Sequence, residues 1–333
     1  MPGPGAYMIG AEELKEVTEV LMSKHLSRYG DENDPNFTRK VITLEKEFAR
    51  KMGIRYAVAV NSGTSAIMAS LKALGIGPGD EVLVPGYTFI ATMSAAITIG
   101  ALPVLVEVDD SLTLDPNDLE NKLSPNTRAI IPVHMLGNPC DMDAVSAVAR
   151  KRDLFIVEDT CQSMGGTYKN RKLGTFGQMG AFSLNAFKIV GAGDAGILVT
   201  DEQEYYERAF GFHDQGHLPL RHGVEVGNRS LIGINMIMNE LTGAFALAQL
   251  RKLDRILDLL REKKKRFKDA IAGAGLSGIS FRTINDPGEC HTFVTIRMDT
   301  VEMADSVARS LGTRTLDQSG WHVYNNMEQL LAH

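Results

Sequence analysis

The chain has 333 residues, 44% of them hydrophobic and 23% charged, which suits an ordinary globular protein with room for two domains. A net charge of −6, with one basic cluster at residues 261–266 lying in a helical pattern as a solvated face, argues against nucleic-acid binding. No apolar run nears the roughly 20 residues that span a bilayer, and the N-terminus lacks an apolar signal core. Three cysteines without CxxC spacing (Cys140, Cys161, Cys290) make neither a disulfide framework nor a zinc site, so a cytoplasmic protein with reduced thiols and no metal is expected.

In chain order, residues 57–60 read as a strand, after which Ile67, Met68, Leu71 and Leu74 recur at helical spacing. Residues 82–84 form the next predicted strand, 89–99 a helix and 103–108 another strand. Residues 129–133 (strand), 141–152 (helix) and 154–158 (strand) continue the alternation. The pattern predicts an α/β fold, with parallel strands, crossover helices and both sheet faces covered. Residues 197–200 read as a strand. From Asn239 to about Ala272 one long helix is expected, with Leu241, Phe245, Leu247, Leu250, Leu253, Ile256 and Leu260 on a broad apolar face. Residues 273–278 read as loop, 293–298 as strand and 301–311 as helix.

Ligands on such a sheet bind outside the carboxyl ends of its strands. After the first strand, Asn61-Ser62-Gly63-Thr64-Ser65 opens a helix whose free amides and positive dipole end suit a phosphate, although the hydroxyls equally suit plain N-caps. After the second, Phe89 can stack on a flat ring or belong to the core. After residue 157, Glu158-Asp159 places carboxylates where burial demands a cationic partner, such as a protonated pyridine nitrogen, with Gln162 in reach of the ring's phenolic oxygen. Asp159 as a helix cap is the alternative.

In the stretch from Ser183 to Gly196 a hydroxyl and a lysine lie five residues apart before a glycine-rich turn. Ser183 suits a phosphate and Lys188 an aldehyde, which suggests pyridoxal phosphate held as a Schiff base; an exposed lysine on a flexible loop is the alternative. Residues 191–196 also fit G-x-G-x-x-G, but they run into the strand at 197–200 rather than opening a helix, so a dinucleotide site is rejected.

Taken together, Ser62-Gly63-Thr64, the Thr88-Phe89 turn after Val-Pro, His134 in Val-His-Met-Leu-Gly, Glu158-Asp159, and Ser183 to Lys188 resemble the sugar aminotransferases of the DegT/DnrJ/EryC1/StrS family, across roughly residues 35–255. The resemblance implies fold type I of the pyridoxal phosphate enzymes. A large cofactor-binding domain would span residues 1–249, and a smaller α+β domain, cut short, residues 250–333. It implies that Lys188 carries the cofactor and moves the proton, that Asp159 pairs with the pyridine nitrogen, and that Gln162 and Phe89 contact the ring. Ser183, Gly63 and Thr64 would hold the phosphate. Asn235, in Gly-Ile-Asn-Met, would reach the neighbouring subunit's phosphate, implying a homodimer with shared sites.

The implied reaction takes an amino group from glutamate or glutamine to a keto or aldehyde sugar or cyclitol. Lysine at 188, where dehydrating relatives carry histidine, favours amino transfer. His134 and His217 are candidate substrate contacts, the latter in a polar loop at residues 212–217. That loop and residues 321–326 resemble the 8-amino-3,8-dideoxy-manno-octulosonate transaminase branch. The chain departs from the family at Asp194-Ala195, where Glu-Gly is usual, and at Ile237, where arginine is usual; both bear on the acceptor and leave room for elimination or cyclisation. Family members run further than His333, so more residues are expected beyond it or within 285–320.

Overall fold

The computed structural model describes residues 2–219 and 231–332. Its strands are β1 (Tyr56–Val60), β2 (Glu81–Pro85), β3 (Leu102–Val106), β4 (Thr127–Ile130), β5 (Phe155–Asp159), β6 (Thr167–Tyr168), β7 (Arg171–Lys172), β8 (Met179–Ser183), β9 (Gly196–Thr200), β10 (Ile279–Phe281) and β11 (Ile296–Met298). The helices are α1 (Ala11–Ser23), α2 (Lys40–Met52), α3 (Gly63–Ala73), α4 (Ala91–Thr98), α5 (Pro116–Leu119), α6 (Met142–Arg152), α7 (Gln203–His213), α8 (Glu240–Arg251), α9 (Leu253–Gly273), α10 (Val301–Ser310) and α11 (Glu328–Leu331).

Seven strands form one sheet in the order β1-β9-β8-β5-β4-β2-β3. Pairing is parallel from β3 through β2, β4 and β5 to β8, and β9 alone runs against its neighbours. The apolar runs at β1, β2, β5, β8 and β9 are buried almost end to end because helices cover both faces. Side chains alternate between faces along β9: Leu198 joins the core packed by α3, α4 and α7, while Ile197 and Val199 join the core packed by α2, α8 and α9. Each fully buried leucine or phenylalanine of this kind contributes about 1.5–3 kcal/mol.

The helices begin where their caps dictate. Ser62 Oγ accepts the Ser65 N–H (3.1 Å) at the start of α3, Asp141 the Ala144 N–H (3.1 Å) at α6, and Asn239 the Thr242 N–H (2.9 Å) at α8. The long helix expected over residues 239–272 is two helices, because Lys252 leaves the helical path between α8 and α9. Its ammonium is bound to Glu13 (2.7 Å) and to the Met8 carbonyl (2.7 Å). Of the strand expected over 293–298 only β11 pairs, antiparallel to β10. Helices α1, α2 and α7 went unread in the sequence, although Val41, Leu44, Phe48 and Met52 of α2 carry the same spacing and are buried. None of the described helices is long and apolar enough to cross a membrane.

Candidate active site

The carboxyl ends of β1, β2, β5 and β8 open into one cavity of about 1500 Å³, whose wall includes Gly63, Phe89, Asp159, Gln162, Ser183 and Lys188. Cys161, Trp321 and His322 line it as well.

Lys188 stands at the tip of the loop joining β8 to β9. Backbone bonds clamp that loop, from Leu184 N–H to Ala195 O (2.8 Å), Ala186 N–H to Gly193 O (2.8 Å) and Ala192 N–H to Leu184 O (2.7 Å). Asp194, where the family prefers glutamate, accepts from the Asn185 side chain (2.8 Å) and so fastens the same loop. The N-terminal segment braces it from outside: Gly3 N–H donates to Ala186 O (3.1 Å). A Cβ on Gly3 would fall 2.2 Å from the Phe187 carbonyl carbon. The lysine amine hydrogen-bonds to nothing among the described residues, and its charge acts on Cys161 and His322 nearby.

Asp159 ends β5 at 5% exposure. Its carboxylate accepts from Thr92 Oγ1 (2.7 Å) and from the Cys161 N–H (3.1 Å), and Thr92 is itself bonded to Thr88 (2.8 Å). All these donors are neutral, so the negative charge of Asp159 faces the cavity uncompensated. Burial, reinforced by that same carboxylate, raises the Cys161 thiol well above its ordinary range and keeps it protonated.

Glu158 lies on the opposite face of β5 and never reaches the cavity. It accepts the N–H groups of Gly174 (2.7 Å), Phe176 (2.5 Å) and Gly177 (2.8 Å), with His134 Nε2 at 3.1 Å. Cys140 N–H donates to His134 Nδ1 (3.1 Å), which leaves the ring hydrogen on Nε2, toward Glu158. His134 is therefore a fully buried brace beneath the site rather than a substrate contact.

The other expected residues divide into those in the cavity and those outside it. The Gly63 and Thr64 amides lie in the first turn of α3, where no intrahelical acceptor exists. A Cβ on Gly63 would meet Ser183 Cβ at 2.8 Å and Cys161 Sγ at 2.9 Å, so only glycine lets this turn close against β8. Gln162 Oε1 accepts the Leu136 N–H (3.0 Å), leaving its NH2 as the group available to the cavity. Phe89 is 38% exposed and stacks on Trp321 with centroids 6.2 Å apart at 14°. Asn235 is exposed, Ile237 bridges to Val60 and His217 is half-buried; none of the three lines the cavity. His213, read as part of a polar loop, is buried at the end of α7 instead. The structure adds Thr92 and Tyr87, and it brings residues 321–322, singled out in the sequence, to the Thr88-Phe89 turn through Thr88 N–H to His322 O (3.0 Å) and Ile90 N–H to Trp321 O (3.1 Å).

The sequence profile of the DegT/DnrJ/EryC1/StrS aminotransferase family matches residues 7–328. The chain belongs to this family. It is 39% identical over 270 residues to the spore coat polysaccharide biosynthesis protein SpsC of Bacillus subtilis, covering 79% of this chain and 67% of that protein. It is 38% identical over 220 residues to GDP-perosamine synthase of Caulobacter vibrioides, covering 66% and 58%, so the chain spans about two thirds of one relative and less of the other. Among solved structures it is similar to S. venezuelae DesV, solved in complex with a ketimine intermediate (TM-score 0.79, 32% identity, 91% of this chain and 78% of that one). It is also similar to the E coli GDP-4-keto-6-deoxy-D-mannose-3-dehydratase with bound hydrated PLP (TM-score 0.79, 28% identity, 91% and 82%). The fold is that of the fold type I enzymes, and pyridoxal phosphate is the cofactor of this aminotransferase. The cavity fits that molecule: free amides at a helix N-terminus suit its phosphate, and a buried carboxylate ringed by neutral donors suits its protonated ring nitrogen.

Proposed function

We propose that this chain moves an amino group from glutamate or glutamine to a keto or aldehyde carbonyl of a sugar or cyclitol, in the cytoplasm and as a homodimer. The observation that carries the reading is the pairing, across one cavity, of the unpartnered Lys188 amine with the uncompensated Asp159 carboxylate. When bound, the cofactor supplies a ring that withdraws the electron pair left behind when a substrate carbon loses its proton. Asp159 would keep the ring nitrogen of the bound cofactor protonated, and Lys188 Nζ would serve as the base that holds and moves the substrate carbon's proton. The Gly63 and Thr64 amides and Ser183 Oγ would hold the phosphate, and the Gln162 NH2 and the Phe89 ring would contact the cofactor's ring.

SpsC and GDP-perosamine synthase are named for carbohydrate products, which supports a sugar acceptor. Asn235, exposed and off the cavity, suits a contact with the neighbouring subunit's site. Residues 1–249 and 250–333 are read as the large and small domains. The test is to add glutamate alone to the cofactor-loaded protein. Loss of the bound cofactor's visible absorbance with release of one equivalent of 2-oxoglutarate is predicted, and recovery of the absorbance on adding a keto sugar. No conversion with glutamate, glutamine or any common donor would overturn it, and elimination or cyclisation would then be the better reading.

A further inference from the structure

The cavity wall holds a buried arginine that amino transfer, as described, leaves unused. Arg282 is 4% exposed, and its terminal nitrogens donate to the carbonyls of Met135 (3.0 Å) and Leu136 (2.8 Å) in the turn after β4. Its Nε is buried without a partner, and no carboxylate among the described residues forms an ion pair with it. A guanidinium has five N–H donors, so two bonds to neutral carbonyls leave three donors unanswered, and Glu289, which attracts the charge without bonding to it, is itself paired with Lys264. Burial pulls its pKa down to about 10, against Glu289 and Tyr87, so it stays cationic at neutral pH.

Two hydroxyls share this wall. Thr292 Oγ1 is buried without a partner, and Tyr87, 8% exposed, lies close enough to Arg282 for each to perturb the other. Arg282, Tyr87 and Thr292 all line the cavity that contains Lys188. The Met135–Leu136 peptide ties the cluster to the rest of the site, because Gln162 accepts its N–H while Arg282 donates to its carbonyl. A planar fork with free N–H groups matches the two oxygens of a carboxylate.

We propose that Arg282, with the hydroxyls of Tyr87 and Thr292, forms a subsite for a substrate carboxylate. The identity of the substrates rests on the amino-transfer reading; the binding itself does not. The carboxylate belongs either to the amino donor or to an acidic sugar acceptor.

Trp321, the only tryptophan in the chain, lines the same cavity and reports occupancy by fluorescence. The cofactor-loaded parent and the variants Arg282→Gln, Tyr87→Phe and Thr292→Val are titrated with 2-oxoglutarate, with glucuronate as an acid sugar, and with glucose as a neutral control. Loss of a hydrogen bond to a charge predicts binding weaker by roughly 10- to 150-fold in Arg282→Gln, and roughly 3- to 10-fold in the hydroxyl variants, for one of the two anions. The glucose response is predicted to be the same in all four proteins. The anion that is lost identifies the source: 2-oxoglutarate the donor, glucuronate the acceptor. Parent-like affinity for both anions in all three variants overturns the proposal. Tyr87→Phe and Thr292→Val leave the Arg282 bonds to Met135 and Leu136 intact, so they decide the matter if Arg282→Gln fails to fold. Glutamate-driven conversion of the cofactor is measured separately on the parent, so a failure of amino transfer is visible there and is not confused with a failure of this subsite.

Discussion

Replacing Glu158 by glutamine separates two adjacent carboxylates that sequence alone cannot tell apart. One Glu158 oxygen accepts from the Phe176 and Gly177 amides and the other from the Gly174 amide and His134 Nε2. A glutamine puts an NH2 in place of one of these oxygens, so two donors in either orientation face another donor. His134 cannot relieve the clash by changing tautomer, because its Nδ1 lone pair already receives the Cys140 N–H. At about 1.5–3 kcal/mol for each hydrogen bond to a charge, the loss is about 3–6 kcal/mol, a large share of the roughly 5–15 kcal/mol that holds a typical protein folded. Urea unfolding followed by far-ultraviolet circular dichroism measures it. Asp159→Asn, whose side chain faces the cavity, is expected to cost less, about 1.5–3 kcal/mol, while losing cofactor affinity, since the amide can keep one of the two bonds from Thr92 and the Cys161 N–H. A Glu158→Gln protein as stable as the parent would refute the assignment of Glu158 to the frame.

Gly63→Ala drives a Cβ to 2.8 Å from Ser183 Cβ and 2.9 Å from Cys161 Sγ; overpacking of about 1–3 kcal/mol is expected, with cofactor affinity down at least about tenfold. Parent-like binding in equilibrium dialysis would show that this turn does not contact the cofactor. His213 is held neutral, its pKa lowered to about 3 by burial and then by the Arg28 guanidinium, which donates to its Nε2 (3.2 Å). The unfolded chain protonates this histidine near pH 6.5 and the folded one does not. Stability contributed by the neutral ring is therefore complete above about 6.5 and falls by up to about 1.4 kcal/mol per pH unit on acidification toward 3. Unfolding free energies at pH 5 and pH 7 are predicted to converge in His213→Gln relative to the parent; an unchanged difference would argue that the ring is charged in the fold.

The alternation of strands and helices from residue 57 to 158 was legible because parallel strands buried on both faces read as short apolar runs, and the spacing of Ile67, Met68, Leu71 and Leu74 marks α3. Lys188, Asp159, Ser183 and the Gly63 turn could be placed on the cavity wall because each ends or follows a strand on the same edge of the sheet. His134 misled because a histidine after a strand looks the same whether it faces the cavity or, as here, a carboxylate beneath it. The break at Lys252 could not be read, since it depends on Glu13 and Met8, more than 200 residues away. Arg282 was silent for the same kind of reason: its partners are carbonyls 146 and 147 residues earlier, and a lone arginine after a short strand carries no local pattern.

Lys188→Ala gives the most direct test of amino transfer. Its absorbance spectrum with added pyridoxal phosphate, and its yield of aminated sugar from glutamate, are compared with those of the parent. Loss of the visible band of the lysine-bound cofactor together with loss of product is predicted, with the fold intact by circular dichroism. A Lys188→Ala protein that still aminates a keto sugar at the parental rate would contradict the account.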